Sequence, residues 1–140
     1  MAINFNHTIL KAQDSKASAT FLAEMLGLPA PKHWGPFQMV TTGNDTNLDY
    51  MDTDGEISPQ HYAFLVSEAE FDAIFGRVRD RKLTYWADPA QKQEGEINHH
   101  DGGRGLYFED SKRPPFGNHH SPIWQRRLES LSAPNASAKS

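Results

Sequence analysis

The most constraining feature of this chain is an internal repeat of the order strand, helix, strand, strand. The two copies begin about 55 residues apart, at the segments that contain His7 and His61. A unit this small cannot bury its own sheet face, so two units must pack together. The repeat therefore predicts an α+β fold of two packed modules, at about residues 1–56 and 57–110.

Local patterns give the elements of each copy. Apolar and polar residues alternate in the segment before Ile9, which is typical of a half-buried strand, and Asp14 offers an N-cap for the following helix. Ser67 and Glu70 have the spacing of a capping box at the start of the second helix. The predicted strands and helices cover residues 3–9, 17–28, 37–42 and 47–52 in the first copy. In the second copy they are a strand over 60–67, a helix that begins at 67 and includes the apolar residues up to Val78, and strands over 83–86 and 105–109.

Composition excludes several classes of protein. The net charge of -4 and the pI near 5.9 argue against nucleic acid as a partner. The chain has no cysteine, so it has neither disulfides nor thiolate sites. No segment has the pattern of a signal peptide or the length of a membrane span, so we expect a cytoplasmic protein without membrane contact.

The character of the chain changes after Asp110. Residues 111–127 contain three prolines and no useful period, and Ser and Ala are common from Leu128 onward. Because proline cannot donate to a strand ladder, we expect the last strand of the second module to be altered or missing. The sequence predicts a glyoxalase-like domain over residues 1–110 and an aberrant, disordered tail over 111–140.

The repeated modules, with a histidine on the first strand of each, resemble the vicinal-oxygen-chelate superfamily of glyoxalases, bleomycin-resistance proteins and extradiol dioxygenases. The segment Tyr107-Phe108-Glu109-Asp110 resembles the start of the superfamily's last turn. The resemblance covers residues 1 to about 110. It implies two βαβββ modules that form a U-shaped sheet around a divalent metal, and it implies a homodimer that acts on a small molecule.

The superfamily's third metal ligand, a glutamate after that turn, has no counterpart here. A reading frame shifted by one nucleotide from Ser111 permits the segment Pro-Asn-Gly-His-Leu-Leu-Glu-Ile-Ile, which is similar to the missing turn and strand. Our hypothesis is that the C-terminus is frameshifted, and an unrelated in-frame codon series in the source gene would contradict it. Gly117 occupies the slot of the glutamate and has no side chain to replace it, and His119 or His120 is the alternative third ligand.

The resemblance implies that His7 and His61 bind the metal, which could be Fe, Mn, Ni or Zn. Without the resemblance, both are ordinary strand histidines. Tyr107 and Arg104 are the candidate catalytic residues, since a phenol can donate to a substrate oxygen and a guanidinium can hold an anion. The alternative is that Tyr107 packs in the core and Arg104 is solvated.

Two further groups have open interpretations. His99 and His100 lie in a polar loop, where one can act as an acid or base, although a solvated loop is the simpler interpretation. Trp34, Phe37 and Trp86 either form the wall of a pocket or belong to the core.

Three functions follow from these observations. The first is a metal-dependent enzyme, either a dioxygenase, a lyase or isomerase, or a thiol transferase, acting on a molecule with adjacent oxygens. The second is a metal-free protein that binds a small-molecule drug. The third is an inactive, destabilised variant that has lost its last strand.

Overall fold

The computed structural model describes residues 3–58, 61–100 and 103–109 with their side chains, and residues 121–126 as backbone. The chain divides into two compact units, one of residues 1–59 with 110–120 and one of residues 60–109 with 121–140. Each unit contains strands and a helix in the order βαβββ, which confirms the α+β class. Within the described residues, neither helix is long and apolar enough to cross a membrane.

The first unit is a four-stranded sheet with one helix. Its strand order is β1-β4-β3-β2, in which β1 and β4 are parallel and the other pairs are antiparallel. Its elements are β1 (His7–Ala12), α1 (Ser15–Leu26), β2 (Lys32–Trp34), β3 (Phe37–Thr41) and β4 (Asn47–Asp52).

Helix α1 has the predicted N-cap, Asp14, but spans Ser15–Leu26 rather than the predicted 17–28. The Asp14 side chain accepts a hydrogen bond from the Ala17 N–H, and Gly27 ends the helix with a φ of 72°. The Ser15 N–H donates to the Asp52 carboxylate at 2.7 Å, which connects the start of α1 to β4. One face of the sheet is therefore covered by α1. The buried residues of this unit include Leu10, Leu22, Met25, Val40 and Tyr50.

The second unit repeats this arrangement. Its strand order is β5-β8-β7-β6, which is the order of the first unit with each number raised by four. The pair β5 and β8 is parallel, and β8–β7 and β7–β6 are antiparallel. Its elements are β5 (His61–Tyr62), α2 (Glu68–Asp80), β6 (Tyr85–Trp86), β7 (Arg104–Phe108) and β8 (Ser121–Arg126).

Helix α2 begins with the predicted capping box. The Ser67 side chain accepts from the Glu70 N–H at 3.1 Å, and the Glu70 carboxylate accepts from the Ser67 N–H at 2.9 Å. Its apolar residues Phe71, Ile74 and Val78 are buried, as are Leu106 and Phe108 of β7.

The predictions for the C-terminal segment need correction for residues 121–126. We expected the last strand to be altered or missing, and a disordered tail, but these six residues form β8 between β5 and β7. Pro122 is accommodated because it is the second residue of the strand, and the antiparallel ladder to β7 begins only at Ile123. Residues 111–120, which include Gly117, His119 and His120, and residues 127–140 lie outside the described part of the chain.

Candidate functional site

His7 lies on the face of the first sheet that α1 leaves uncovered. Side chains alternate between the two faces of a strand, and Asp52 on β4 reaches toward α1. Asn47 and Asp49 therefore point to the opposite face, together with their β1 register partners His7 and Ile9. The His7 Nδ1 lies 2.7 Å from Oδ1 of Asn6, to which it donates. A donating Nδ1 leaves the lone pair of Nε2 for a metal.

Asp49 is a buried carboxylate beside His7 that the sequence analysis missed. Its exposed fraction is 7%, and its Oδ1 has no hydrogen-bond partner in the described part of the structure. Burial raises the pKa of Asp49, while the nearby charge of His7 acts in the opposite direction. A buried carboxylate oxygen without a described partner is costly unless something binds it, so Asp49 is a candidate ligand on the His7 face.

The second unit places two of the predicted site residues in contact. The rings of His61 on β5 and Tyr107 on β7 are 6.1 Å apart and nearly perpendicular. Burial, and then the negative charge of Asp88, raise the pKa of Tyr107. The phenol of Tyr107 therefore stays protonated and can donate a hydrogen bond next to His61.

Arg104 lies on the other face of β7 from Tyr107. Its Nη2 is 2.7 Å from Oε1 of Glu68 and 2.8 Å from Oδ1 of Asp72, both on α2. Its guanidinium also lies 4.2 Å from the centre of the Phe71 ring. Burial lowers the pKa of Arg104, but the hydrogen bonds and charges of the two carboxylates outweigh it and raise the pKa overall. These contacts favour a structural role for Arg104 and separate it from the His61–Tyr107 pair.

The remaining aromatic candidates differ in their exposure and in their contacts. Trp34 and Phe37 stack with ring planes 8° apart, and Trp34 is exposed, so these rings are not core. Trp86 is partly buried and is the register partner of Tyr107, so its side chain is on the Tyr107 face. His99 and His100 are exposed, in keeping with a solvated loop.

No group of three His, Asp or Glu side chains with the geometry of a metal site occurs among the described residues.

Asp49 went unnoticed in the sequence because an isolated aspartate in a strand is usually solvated. Its position between two apolar residues, Leu48 and Tyr50, is the alternation of a half-buried strand, which places a polar residue on the solvent face.

Comparison with known proteins agrees with this architecture. The glutathione transferase FosA of Serratia marcescens is 32% identical over 101 residues, which are 68% of this chain and 70% of that protein. This chain belongs to the vicinal-oxygen-chelate superfamily. No protein-family model matches the chain.

Several solved structures are also similar to this chain. The oxidases ChaP-H1 and ChaP-H2 are 52% and 53% identical to this chain, with a TM-score of 0.79 for each. The matches cover 89% and 92% of this chain and 97% and 98% of the oxidases. The fosfomycin resistance protein FosX of Mesorhizobium loti is 18% identical, with a TM-score of 0.63 over 93% of this chain and 97% of FosX, and shares the fold.

Proposed function

We propose that this protein is a divalent-metal-dependent enzyme that acts on a small molecule with two adjacent oxygens. His7 and His61 would be the histidine ligands. The observation that supports the proposal is that the two histidines occupy equivalent positions in the two units. Each histidine begins the first strand of its unit, and each lies on a helix-free sheet face, beside Asp49 in one unit and Tyr107 in the other.

By residue type alone, the proposed ligands suit a divalent metal; in the described part of the structure they do not form a three-residue group with metal-site geometry. Asp49 would supply the carboxylate that the glutamate supplies elsewhere in the superfamily, since its Oδ1 is buried and has no other described partner. Two histidines and one carboxylate are the donor set of non-haem iron sites, and imidazole also suits Mn, Ni and Zn. When bound, such a metal polarises the substrate oxygens and stabilises the negative charge that develops on them.

The protein's own contribution to the reaction would come from Tyr107. Its raised pKa keeps the phenol protonated at neutral pH, so it can donate a hydrogen bond to a substrate oxygen and oppose charge development there. The contact with the His61 ring fixes the direction of the tyrosine ring. Arg104 has no part in this step, because its guanidinium is engaged by Glu68 and Asp72.

Oxidation is the reaction type that we favour. The support is the 52–53% identity to two proteins that are named oxidases, against 32% identity to a glutathione transferase. Thiol transfer and glyoxalase-type isomerisation are the alternatives within the metal-dependent class. We further propose a homodimer, which light scattering of the purified protein would test.

A metal-free binding protein of the same fold is the second candidate. The observation in its favour is that no three-residue metal group occurs among the described side chains. The two candidates differ in what holds the ligand. A chelated ligand requires both oxygens and the histidines, whereas a ligand in an apolar groove does not.

A spectroscopic experiment separates these candidates. Cobalt(II)-loaded protein is titrated with tropolone, which has adjacent oxygens, and with phenol, which has one. We expect tropolone alone to change the visible cobalt spectrum, and His61→Ala to abolish the change. His33→Ala is the matched control, since His33 is an exposed histidine whose side chain points to the helix-covered face of the first sheet. Equal responses to tropolone and phenol, or an unchanged response in His61→Ala, would contradict the proposal.

A further inference from the structure

We propose that an open cavity at the C-terminal end of α2 binds the phosphate group of a small molecule, and that Arg79 and Lys82 hold it. The cavity has a volume of about 310 Å³ and is lined by Arg79, by residues 82–85 and by residues 94–95. Pockets for small molecules begin at about 300 Å³, so the cavity suits a phosphate that carries a small organic group. Such a site is independent of the proposed metal site.

The cavity lies on the face of the second sheet that α2 covers. Tyr85 lines the cavity, and its ring packs edge to face against Phe75 of α2, with ring centroids 5.3 Å apart. Neighbouring residues on a strand point to opposite faces, and the next residue, Trp86, is the register partner of Tyr107. The cavity and Tyr107 therefore belong to opposite faces of the sheet, so a ligand in the cavity does not touch the candidate site.

The two cationic side chains of the cavity have no carboxylate partner within the described part of the chain. Arg79 and Lys82 are both exposed, and the Arg79 guanidinium lies over the Phe75 ring, 4.6 Å from its centre. Arg104 of the same unit, by contrast, is paired with two carboxylates of α2. Residues three positions apart at a helix end are neighbours, so the two cations repel each other unless an anion binds between them.

The acidic residue in the lining, Glu94, does not neutralise these cations. Glu94 forms an antiparallel bridge with Trp86, and the N–H of Gly95 donates to the Tyr85 carbonyl at 2.8 Å. Bridge partners direct their side chains to the same face, so the Glu94 carboxylate is directed to the face of Trp86. The backbone of residues 94–95 forms the wall of the cavity, and the charge on the cavity side is positive.

Lys82 has a backbone conformation that lysine seldom adopts. Its φ is 56°, in the left-handed region, where glycine is the usual residue after a helix. The equivalent residue after α1 is Gly27, with a φ of 72°. Both N–H groups donate to the carbonyl three positions earlier, and the N–H groups of the next residues donate to the carbonyl five positions earlier. Glycine would make this turn with less strain, so the lysine indicates a use for its side chain besides ending the helix.

The two cations match a phosphate better than a carboxylate. A phosphate monoester carries a charge of about −1.5 to −2 near pH 7, which two positive side chains can neutralise. The guanidinium of Arg79 offers a planar pair of N–H donors, and the ammonium of Lys82 acts as a point charge. Leu83 and the Tyr85 ring supply apolar surface for the organic group.

Calorimetry of the metal-loaded protein with phenyl phosphate, inorganic phosphate and benzoate tests this site. We expect both phosphates to bind at least about ten-fold more tightly than benzoate, which carries a single charge. Arg79→Met and Lys82→Gly should each weaken phenyl phosphate binding by about ten-fold or more, the loss expected for one charge-assisted hydrogen bond. Equal affinities of the two phosphates would identify the free ion as the occupant, and weaker binding of inorganic phosphate would identify a phosphate monoester. Either result supports a phosphate site.

Lys92→Ala is the matched control, because Lys92 is an exposed lysine of the same unit that does not line the cavity. Lys82→Gly should keep or raise the melting temperature, because glycine relieves the left-handed strain. A lower melting temperature of Lys82→Gly with unchanged phosphate affinity would assign the lysine to the helix macrodipole and overturn the proposal. No saturable phosphate binding to the wild type, equal losses in Lys92→Ala and Lys82→Gly, or equal affinities for benzoate and phenyl phosphate would also overturn it.

His61→Ala distinguishes this cavity from the proposed metal site. Phosphate oxygens also bind metal ions, but a ligand on the α2 side of the sheet does not need His61. His61→Ala should therefore bind phenyl phosphate like the wild type. Loss of binding in His61→Ala, with none in Lys82→Gly, would place the anion at the metal and overturn the proposal. A wild-type protein that binds phenyl phosphate but no metal would support the cavity and contradict the metal-dependent function.

Discussion

The contacts of Arg104 lead to a testable prediction about this residue, for which the sequence indicated a role in substrate binding. Replacing it by methionine keeps the length and apolar stem of the side chain and removes the guanidinium. The change deletes two ion pairs to α2 and the cation–π contact with Phe71 at 4.2 Å. If these contacts are the role of Arg104, the variant loses stability and keeps ligand affinity.

The magnitude follows from the exposure of the partners. The Arg104 side chain is 25% exposed, but those of Glu68 and Asp72 are 51% and 68% exposed, so solvent screens both pairs. Each solvent-screened ion pair contributes about 0.2–1 kcal/mol to the free energy of unfolding. A cation–π contact adds about 0.5–1 kcal/mol. We therefore expect Arg104→Met to lower the free energy of unfolding by about 1–3 kcal/mol.

Urea denaturation followed by circular dichroism measures this change. Arg79→Met is the matched control, because the Arg79 guanidinium lies 4.6 Å from the Phe75 ring, a comparable cation–π contact on the same helix. The control should lose only the cation–π part, about 0.5–1 kcal/mol. An Arg104→Met protein that is as stable as Arg79→Met but binds tropolone more weakly would refute the structural role.

Three further predictions concern the helix starts and the candidate site. Ser67→Ala should remove the hydrogen bond from the Glu70 N–H to the Ser67 side chain, keep the one from the backbone N–H of residue 67 to Glu70, and lower stability by about 1 kcal/mol, measured by urea denaturation. The hydrogen bond from the Ser15 N–H lowers the pKa of Asp52, so its stabilising effect is present above the ordinary value of 3.8 and is lost as the pH falls through the lowered pKa. Thermal melts of Asp52→Asn should therefore depend less on pH in that acidic range. Tyr107→Phe should lower kcat about a hundred-fold at unchanged metal content, and an unaltered kcat would remove Tyr107 from the reaction.

The sequence predicted the elements whose signals are local. The Asp14 N-cap, the Ser67–Glu70 capping box and the hairpin of β3 and β4 all depend on residues within a few positions of each other, and all are present. Strand β4 even has the predicted bounds, Asn47–Asp52.

Elements that depend on distant partners were predicted less well. The sequence analysis missed β2, because its three residues are all exposed and show no alternation, and only its pairing with β3 defines it. It also extended β5 over residues 60–67, whereas within the described part of the chain only His61 and Tyr62 pair with β8. Strand β8 itself was considered improbable from its proline, although the ladder to β7 simply begins one residue later.

The same difference between local and long-range signals applies to the candidate site. His7 and His61 were selected from the resemblance, with the internal repeat as support, and Tyr107 from its residue type; their roles stay predictions. The face on which a side chain lies depends on long-range register, so the sequence could not separate Arg104 from Tyr107, three residues further along the same strand. For the same reason it could not place Asp49 beside His7.

Metal content is the most direct test of the proposed metal site. Protein purified without chelators, dialysed against iron(II) under anaerobic conditions and analysed for metal should contain about one ion per chain. His7→Ala, His61→Ala and Asp49→Asn should each reduce this content by at least ten-fold, while His33→Ala should not. Equal metal content in Asp49→Asn and wild type would remove Asp49 from the ligand set. No bound metal in the wild-type protein would contradict the metal-dependent enzyme and leave the metal-free binding protein.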